Sequence, residues 1–287
     1  MSFRRRLCMS GEGRLVLQDI VKIYGSGGHL FGGKAVVSAV GGVSITLEPG
    51  ETLGIVGESG SGKSTLGRIA AGIEAPTSGT VTLDGKCFAR IGSAAWRRER
   101  CGVQMVFQNP SKALDPRMTI GAQIDEAMQA HGITSVSRIM RREEMLSLVG
   151  LPSMGDRYSH QLSGGQQQRA VIARALVLNP KVVVCDEAVS ALDVSVQAQI
   201  INLLNDLKAK FGMGYLFISH DLGVVRHISD HIAVMRKGVV VETGPAAEIF
   251  ANPQHEYTRS LLAAVPAAMP GERRPREHTS QKQRTLS

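Results

Sequence analysis

No stretch of this 287-residue chain approaches the roughly 18 consecutive apolar residues that cross a bilayer, so a role at a membrane would come through a partner. The triplet Arg4-Arg5-Arg6 with Leu7-Cys8 could open an export or lipoprotein signal, but Met9-Ser10-Gly11-Glu12-Gly13 supplies no apolar h-region. Cysteine is scarce: Cys8, Cys87, Cys101 and Cys185 show no CxxC spacing and no nearby histidine pair. That argues against a disulfide framework or a structural zinc and for a reducing cytoplasm. The folded body also lacks a basic surplus. The formal charge is +8, yet six of those charges lie in residues 1–14 and 271–287, and no nucleic acid is expected as a partner. Such tails read as solvated, disordered ends rather than lipid-binding arms. What remains is 43% hydrophobic and long enough to bury one sizeable core or two subdomains.

Strand patterns punctuated by glycine fill the first hundred residues: Leu15 to Tyr24, Gly42 to Leu47, Thr52 to Val56, Thr80 to Leu83 and Val103 to Phe107. A Gly-rich excursion, GSGGHLFGGK, separates Tyr24 from Ala35. Leu66, Ile69, Ala70 and Ile73 carry helical spacing after it. From Asn109 to Ala175 the pattern turns helical, including an amphipathic stretch from Met140 to Leu148, and then returns to short apolar strands at Val182 to Cys185 and Tyr215 to Ile218. Ile200, Leu203, Leu204 and Leu207 predict the crossover helix that parallel strands require. Ile232 to Met235 and Val239 to Glu242 predict a last strand pair.

The densest chemical signal is GESGSGKS at Gly57 to Ser64, between an apolar strand and an amphipathic helix. Its glycines permit a turn whose N–H groups converge on a phosphate, Lys63 reaches the β- and γ-phosphates, and Ser64 ligates Mg²⁺. Gly57, Glu58, Ser59, Gly60, Ser61, Gly62, Lys63, Ser64 and Thr65 are the candidate nucleotide-binding residues. VVVCDE at Val182 to Glu187 gives a buried strand ending in two carboxylates, at the edge where α/β sheets place their ligands. Asp186 is expected to hold Mg²⁺ through water and Glu187 to polarise the attacking water as general base. In LSGGQQQR, Ser163 is a helix cap, and the open amides of Gly164 and Gly165, next to Gln166, make an anion site without a charged side chain. No second phosphate site is evident in the chain, so this one is expected to serve a partner's ATP. Gln108, at a strand end, is placed to sense Mg²⁺ and the γ-phosphate, and His220 to contact the γ-phosphate and steer water. Asp193, in SALD at Ser190 to Asp193, is expected to reach the partner loop across a two-fold. Tyr24 either stacks on adenine or packs locally.

Together these segments resemble the ATP-binding cassette (ABC) family over roughly residues 15–265. The resemblance assigns Walker A to Gly57–Thr65, the Q-loop to Gln108, the signature to Leu162–Gln166, Walker B to Val182–Glu187, the D-loop to Ser190–Asp193 and the switch histidine to His220. It implies an α/β fold, a P-loop NTPase (RecA-like) core with an antiparallel β subdomain and an inserted α-helical subdomain at about 109–175. The implied division is a basic tail at 1–14, the ATPase at 15–252, a C-terminal extension at 253–270 and a disordered tail at 271–287. FQNPSKALDPRMT, SALDVSVQAQ and PQHEYTRSLLAAVP look like the oligopeptide, dipeptide and nickel importer branch. Ala188-Val189 stands where Pro-Thr is commoner, and Glu256 where proline is usual. In that branch two related cassettes pair beneath two membrane permease subunits, supplied by an extracytoplasmic solute-binding protein. One of the pair carries a cysteine cluster after the switch region; with no cysteine beyond Cys185, this chain is similar to the other. ATP and Mg²⁺ are the implied cofactors, peptide import the implied function and the cytoplasmic face of the membrane the implied location. Alternatives are nickel import, an exporter half, or a soluble ABC ATPase acting on DNA or ribosomes.

Overall fold

A computed structural model describes residues 13–25, 37–133 and 135–264. In chain order the strands and helices are β1 (Leu15–Tyr24), β2 (Val37–Leu47), β3 (Thr52–Val56), α1 (Lys63–Ala70), β4 (Ser78–Leu83), β5 (Lys86–Cys87), α2 (Ala94–Glu99), β6 (Val103–Val106), α3 (Pro110–Ala113), α4 (Ile120–Gln129), α5 (Ser135–Leu148) and α6 (Gly164–Leu176). They continue as β7 (Val182–Asp186), α7 (Val194–Phe211), β8 (Gly214–Ile218), α8 (Leu222–Ile228), β9 (His231–Arg236), β10 (Val239–Pro245), α9 (Ala246–Ala251) and α10 (Glu256–Ala263).

Two sheets result. One is antiparallel in the order β2-β1-β4-β5; the other runs β10-β9-β3-β8-β7-β6, parallel except for β10. The parallel sheet is covered on both faces, and its period-two alternation divides the hydrophobic residues between two cores. Val184, Ile218 and Met235 face the core shared with α1 and the antiparallel sheet. Cys185, Phe217 and Val234 face the larger core built with α4 to α8. Helices α3 to α6 lie between β6 and β7 in sequence.

Several boundaries differ from the pattern. β2 starts at Val37 rather than Gly42, because its first residues are largely exposed and its register with β1 is irregular, which erases the alternation. α1 stops at Ala70 and the chain reverses at Gly72 (φ 63°), so Ile73 lies beyond the helix although it packs on the same core. β5, α2, α8 and α9 are too short to show a period. Most of the Gly-rich excursion and the charged C-terminal tail lie outside the described residues. Cys87 is exposed and Cys185 buried, and both are free thiols.

Tyr215 ties the sheet to its crossover helix. It is fully buried on β8, and its hydroxyl donates to the Leu204 carbonyl of α7 at 3.0 Å. Tyr215→Phe should cost about 1 kcal/mol and lower Tm by roughly 2–4 °C in thermal unfolding.

Candidate functional site

β3, β8, β7 and β6 are consecutive neighbours and parallel, so their C-terminal ends share one edge. The glycine-rich loop leaves β3, Asp186 and Glu187 end β7, His220 follows β8 and Gln108 follows β6. The sheet therefore gathers at one edge four segments separated in sequence.

The path of the loop is fixed by close backbone approach. A Cβ on Gly57 (φ 149°) would meet the Met235 carbonyl oxygen at 2.1 Å, and one on Gly62 (φ 101°) would meet that of Ala39 at 2.2 Å. Glu58, Ser59 and Gly60 form an exposed crest, whereas Ser61, Lys63 and Thr65 are buried. Lys63 Nζ donates to the carbonyls of Gly57 and Glu58, each at 2.7 Å. Burial lowers the Lys63 pKa, against the opposing pull of Glu187, Asp186 and Glu58. Ser64 Oγ donates to Asp186 Oδ1 at 2.8 Å. Burial also raises the Asp186 carboxyl above the usual range; Glu187 adds to this, while Ser64, Arg68 and Lys63 oppose it.

Glu187 is the centre of the next cluster. It has φ 50°, a left-handed conformation rare for a residue with a side chain, and its N–H donates to Ile218 O at 2.9 Å. Its carboxylate accepts from Gln108 Nε2 at 2.8 Å and lies 3.4 Å from His220 Nδ1. Ser190, the first residue of SALD and given no role of its own by the sequence, completes the cluster. Its Oγ accepts from Gln108 Nε2 at 3.2 Å and donates to Glu187 O at 3.0 Å.

The remaining candidates lie apart from this cluster or are occupied locally. Ser163 and Gln166 form a reciprocal capping box at the start of α6, with Ser163 Oγ accepting from Gln166 N at 3.3 Å and Gln166 Oε1 from Ser163 N at 3.0 Å. The box leaves the amides of Gly164 and Gly165 at the helix start. Asp193 Oδ1 caps α7 through Val196 N at 2.9 Å, a local role that the expected cross-dimer contact had obscured. Tyr24, partly exposed, donates to Glu74 Oε1 at 2.5 Å beneath Lys22. Burial of Glu74 opposes ionisation, but hydrogen bonds from Tyr24, Lys22 and Arg68 prevail and hold its carboxyl below the ordinary value. One further contact had no sequence signal beyond its place in a tail motif: Tyr257 Oη accepts the Glu58 N–H at 3.0 Å. A cavity of about 460 Å³ between α8 and α9, lined by Arg226, Ser229 and Phe250, shares no residue with this edge.

A P-loop and an Asp-Glu strand end on a parallel sheet, with a capped glycine pair on a separate helix, define a nucleotide-hydrolysing cassette. Residues 40–190 match the ABC transporter family and residues 241–286 the C-terminal region of oligopeptide/dipeptide transporters. The chain belongs to the ABC transporter family and is an ATPase. It is 49% identical to a putative peptide import ATP-binding protein of Brucella abortus (strain 2308), over 94% of this chain and 83% of that protein. It is 48% identical to a di/tripeptide transport ATP-binding protein of Pseudomonas aeruginosa (strain UCBPP-PA14), over 91% and 82%. A glutathione import ATP-binding protein of Pectobacterium atrosepticum is 51% identical over 83% of this chain but only 38% of its own length. Among solved structures, a dimeric ATP-binding cassette in a post-hydrolysis state with ADP and Pi superposes at TM-score 0.71 and 28% identity, covering 81% of this chain and 98% of that one. A cassette from Clostridium perfringens that is part of an ABC transporter complex superposes at TM-score 0.73 and 26% identity, covering 84% and 92%.

The raised carboxyl of Asp186 has a measurable consequence. Folding disfavours its charged form, net of the attraction of Lys63 and Arg68. The penalty is absent where both folded and unfolded groups are protonated, and it grows as pH rises from the ordinary carboxylate value through the raised folded one. Asp186→Asn can keep the Ser64 hydrogen bond through its amide oxygen. It should raise the Tm of nucleotide-free protein at pH 7–8, and the gain should fade toward about pH 4 in a thermal-melt series across pH.

Proposed function

We propose that this chain is the ATP-hydrolysing subunit of an importer for di- or oligopeptides, acting at the cytoplasmic face of the membrane. The observation that carries the mechanism is Glu187, held in a strained left-handed conformation between Gln108 and His220 and next in sequence to the Ser64-bonded Asp186. In this reading the loop from Gly57 to Thr65 wraps the phosphates with backbone N–H groups and Lys63 neutralises the β- and γ-phosphates. Glu187 takes up hydrogen-bonding to the attacking water, oriented by Gln108 and Ser190. His220 steadies the far side of the γ-phosphate, and the aromatic face of Tyr24 is offered to adenine.

Ser64 Oγ and Asp186 Oδ1, 2.8 Å apart, are hard oxygen donors, and the Gln108 side-chain oxygen is assigned to join them. This fits Mg²⁺, which takes its other positions from water and phosphate. The ion would supply charge neutralisation across the phosphates. Ser163, Gly164, Gly165, Gln166 and Asp193 are assigned to the nucleotide of an opposed cassette, a paralogue or a second copy; the dimeric form of the solved relative supports this arrangement. Peptide as cargo is supported by the names of the relatives and the C-terminal match. Among the described residues no helix is long and apolar enough to cross a membrane. Two permease subunits would supply the channel and an extracytoplasmic binding protein the solute.

Deleting the gene should abolish uptake of labelled peptides while nickel uptake persists, and the wild-type gene should restore it. A Glu187→Gln copy should not, because hydrolysis falls about 100-fold or more while ATP binding is kept. Lost nickel uptake with intact peptide uptake would reverse the cargo assignment; near wild-type hydrolysis would remove Glu187 from its role.

The trans role of the signature has its own test. A Cβ on Gly164 meets only Leu192 at an ordinary 3.7 Å, so Gly164→Asp fits the fold while placing a carboxylate beside the open amides. The variant should bind ATP as a monomer at wild-type affinity and fail to dimerise on ATP in light scattering; loss of binding by the monomer would place the signature in cis.

A further inference from the structure

The peptide unit joining Gly57 to Glu58 opens the phosphate-binding loop, and it is held at both ends. Its carbonyl oxygen accepts from Lys63 Nζ at 2.7 Å, and its N–H donates to Tyr257 Oη at 3.0 Å. Gly57 has no Cβ and sits at φ 149°, so its own sterics resist rotation of this peptide far less than those of other residues would. The orientation depends on the two hydrogen bonds.

Tyr257 is itself firmly placed. It is 4% exposed in the first turn of α10, its ring packs in the larger core, and the Arg236 guanidinium lies 4.8 Å from the ring centroid. Arg236 ends β9, and the preceding residue, Met235, is the one whose carbonyl abuts Gly57. His255 Nδ1 caps α10 by accepting from Tyr257 N at 3.1 Å. The entry to the helix is latched to β10: the Glu242 carboxylate accepts Gln254 N at 2.7 Å and His255 N at 3.0 Å. A chain of contacts thus runs from β10 through α10 to the root of the loop.

We propose that Tyr257 is a positioning residue of the nucleotide site, its hydroxyl fixing the Gly57–Glu58 peptide so that docking of the C-terminal segment is coupled to ATP affinity. The proposal rests on the reading that this loop holds ATP. Without the hydroxyl, the part-buried N–H loses its partner and the peptide is free to turn, carrying with it the carbonyl that orients Lys63. The effect falls on ground-state binding of phosphate more than on the hydrolytic cluster, which none of these contacts touches.

Tyr257→Phe keeps the ring and its packing and removes only the hydroxyl. Leu261→Ala, which removes packing elsewhere on α10, is the control for general loosening of the helix. In the full-length chain, Tyr257→Phe should raise the ATP dissociation constant about tenfold with little change in nucleotide-free Tm. Leu261→Ala should lower Tm and leave the dissociation constant within about twofold of wild type. In the assembled transporter Tyr257→Phe should raise the KM for ATP by a similar factor, with kcat within about twofold. Wild-type affinity in Tyr257→Phe overturns the proposal, as does a loss of affinity that tracks Tm equally in both variants. Lys63→Ala, run alongside, separates the two readings: if it binds ATP like wild type, the assignment of the loop falls and the role of Tyr257 with it. If it loses binding while Tyr257→Phe does not, only the role of Tyr257 falls.

Discussion

A buried ammonium surrounded by carboxylates sets the terms for the rest of the site. Lys63 is 4% exposed, and its burial would favour the neutral amine if nothing opposed it. Glu187, Asp186 and Glu58 oppose it, and two carbonyls accept its protons. The dependence is mutual. Asp186, raised by its own burial and by the neighbouring Glu187, is eased by Lys63, Arg68 and the Ser64 hydroxyl. Each charge eases the other, yet burial still prevails in both groups. The fold therefore has to hold the end of β3 and the end of β7 in fixed relation.

It does so through a sheet that is buried on both faces. Because adjacent residues of β7, β8 and β9 point into different cores, neither face can slip without exposing the apolar set of the other. Close helix packing adds to the constraint: a Cβ on Gly67 of α1 would meet Ile218 Cδ1 at 2.5 Å, and one on Gly54 would meet Ser229 Oγ at 2.5 Å. On such a base, strain can be held at the strand end. Glu187 keeps its left-handed backbone because its N–H is bound to Ile218 O and its carbonyl accepts from the main chain and hydroxyl of Ser190.

The central strands and the long helices were legible in the sequence because they carry sustained apolar patterns. β3 was placed residue for residue, and β7 and β8 to within one residue at an end. Where the pattern was short or broken, the boundaries were missed: β2 at its exposed start, α1 at its left-handed exit, and α8 and α9 entirely. The site residues were nameable from motif and strand order, but motif reading assigns each residue one role. Asp193 was assigned outward and it also caps α7; Ser190 had no role of its own within the D-loop and bridges Gln108 to Glu187. Tyr257 lies 199 positions from Glu58. No periodicity spans that distance, so only the fold brings the two together.

The two adjacent glycines of the signature show why a motif can be read without its physics. At Gly165 an added Cβ would stand 2.6 Å from Val196 Cγ1, so this glycine lets the start of α6 lie against α7. At Gly164 the same atom would meet only Leu192, at an ordinary contact distance. Packing demands one glycine and leaves the other unexplained. The residue that is bare for no structural reason is also the first amide of a capped helix, where a side chain would stand in front of any anion approaching the helix end. Under the proposed trans role a bare Gly164 would leave room for the opposed cassette's nucleotide, whereas the seating of α6 against α7 accounts for Gly165 on its own.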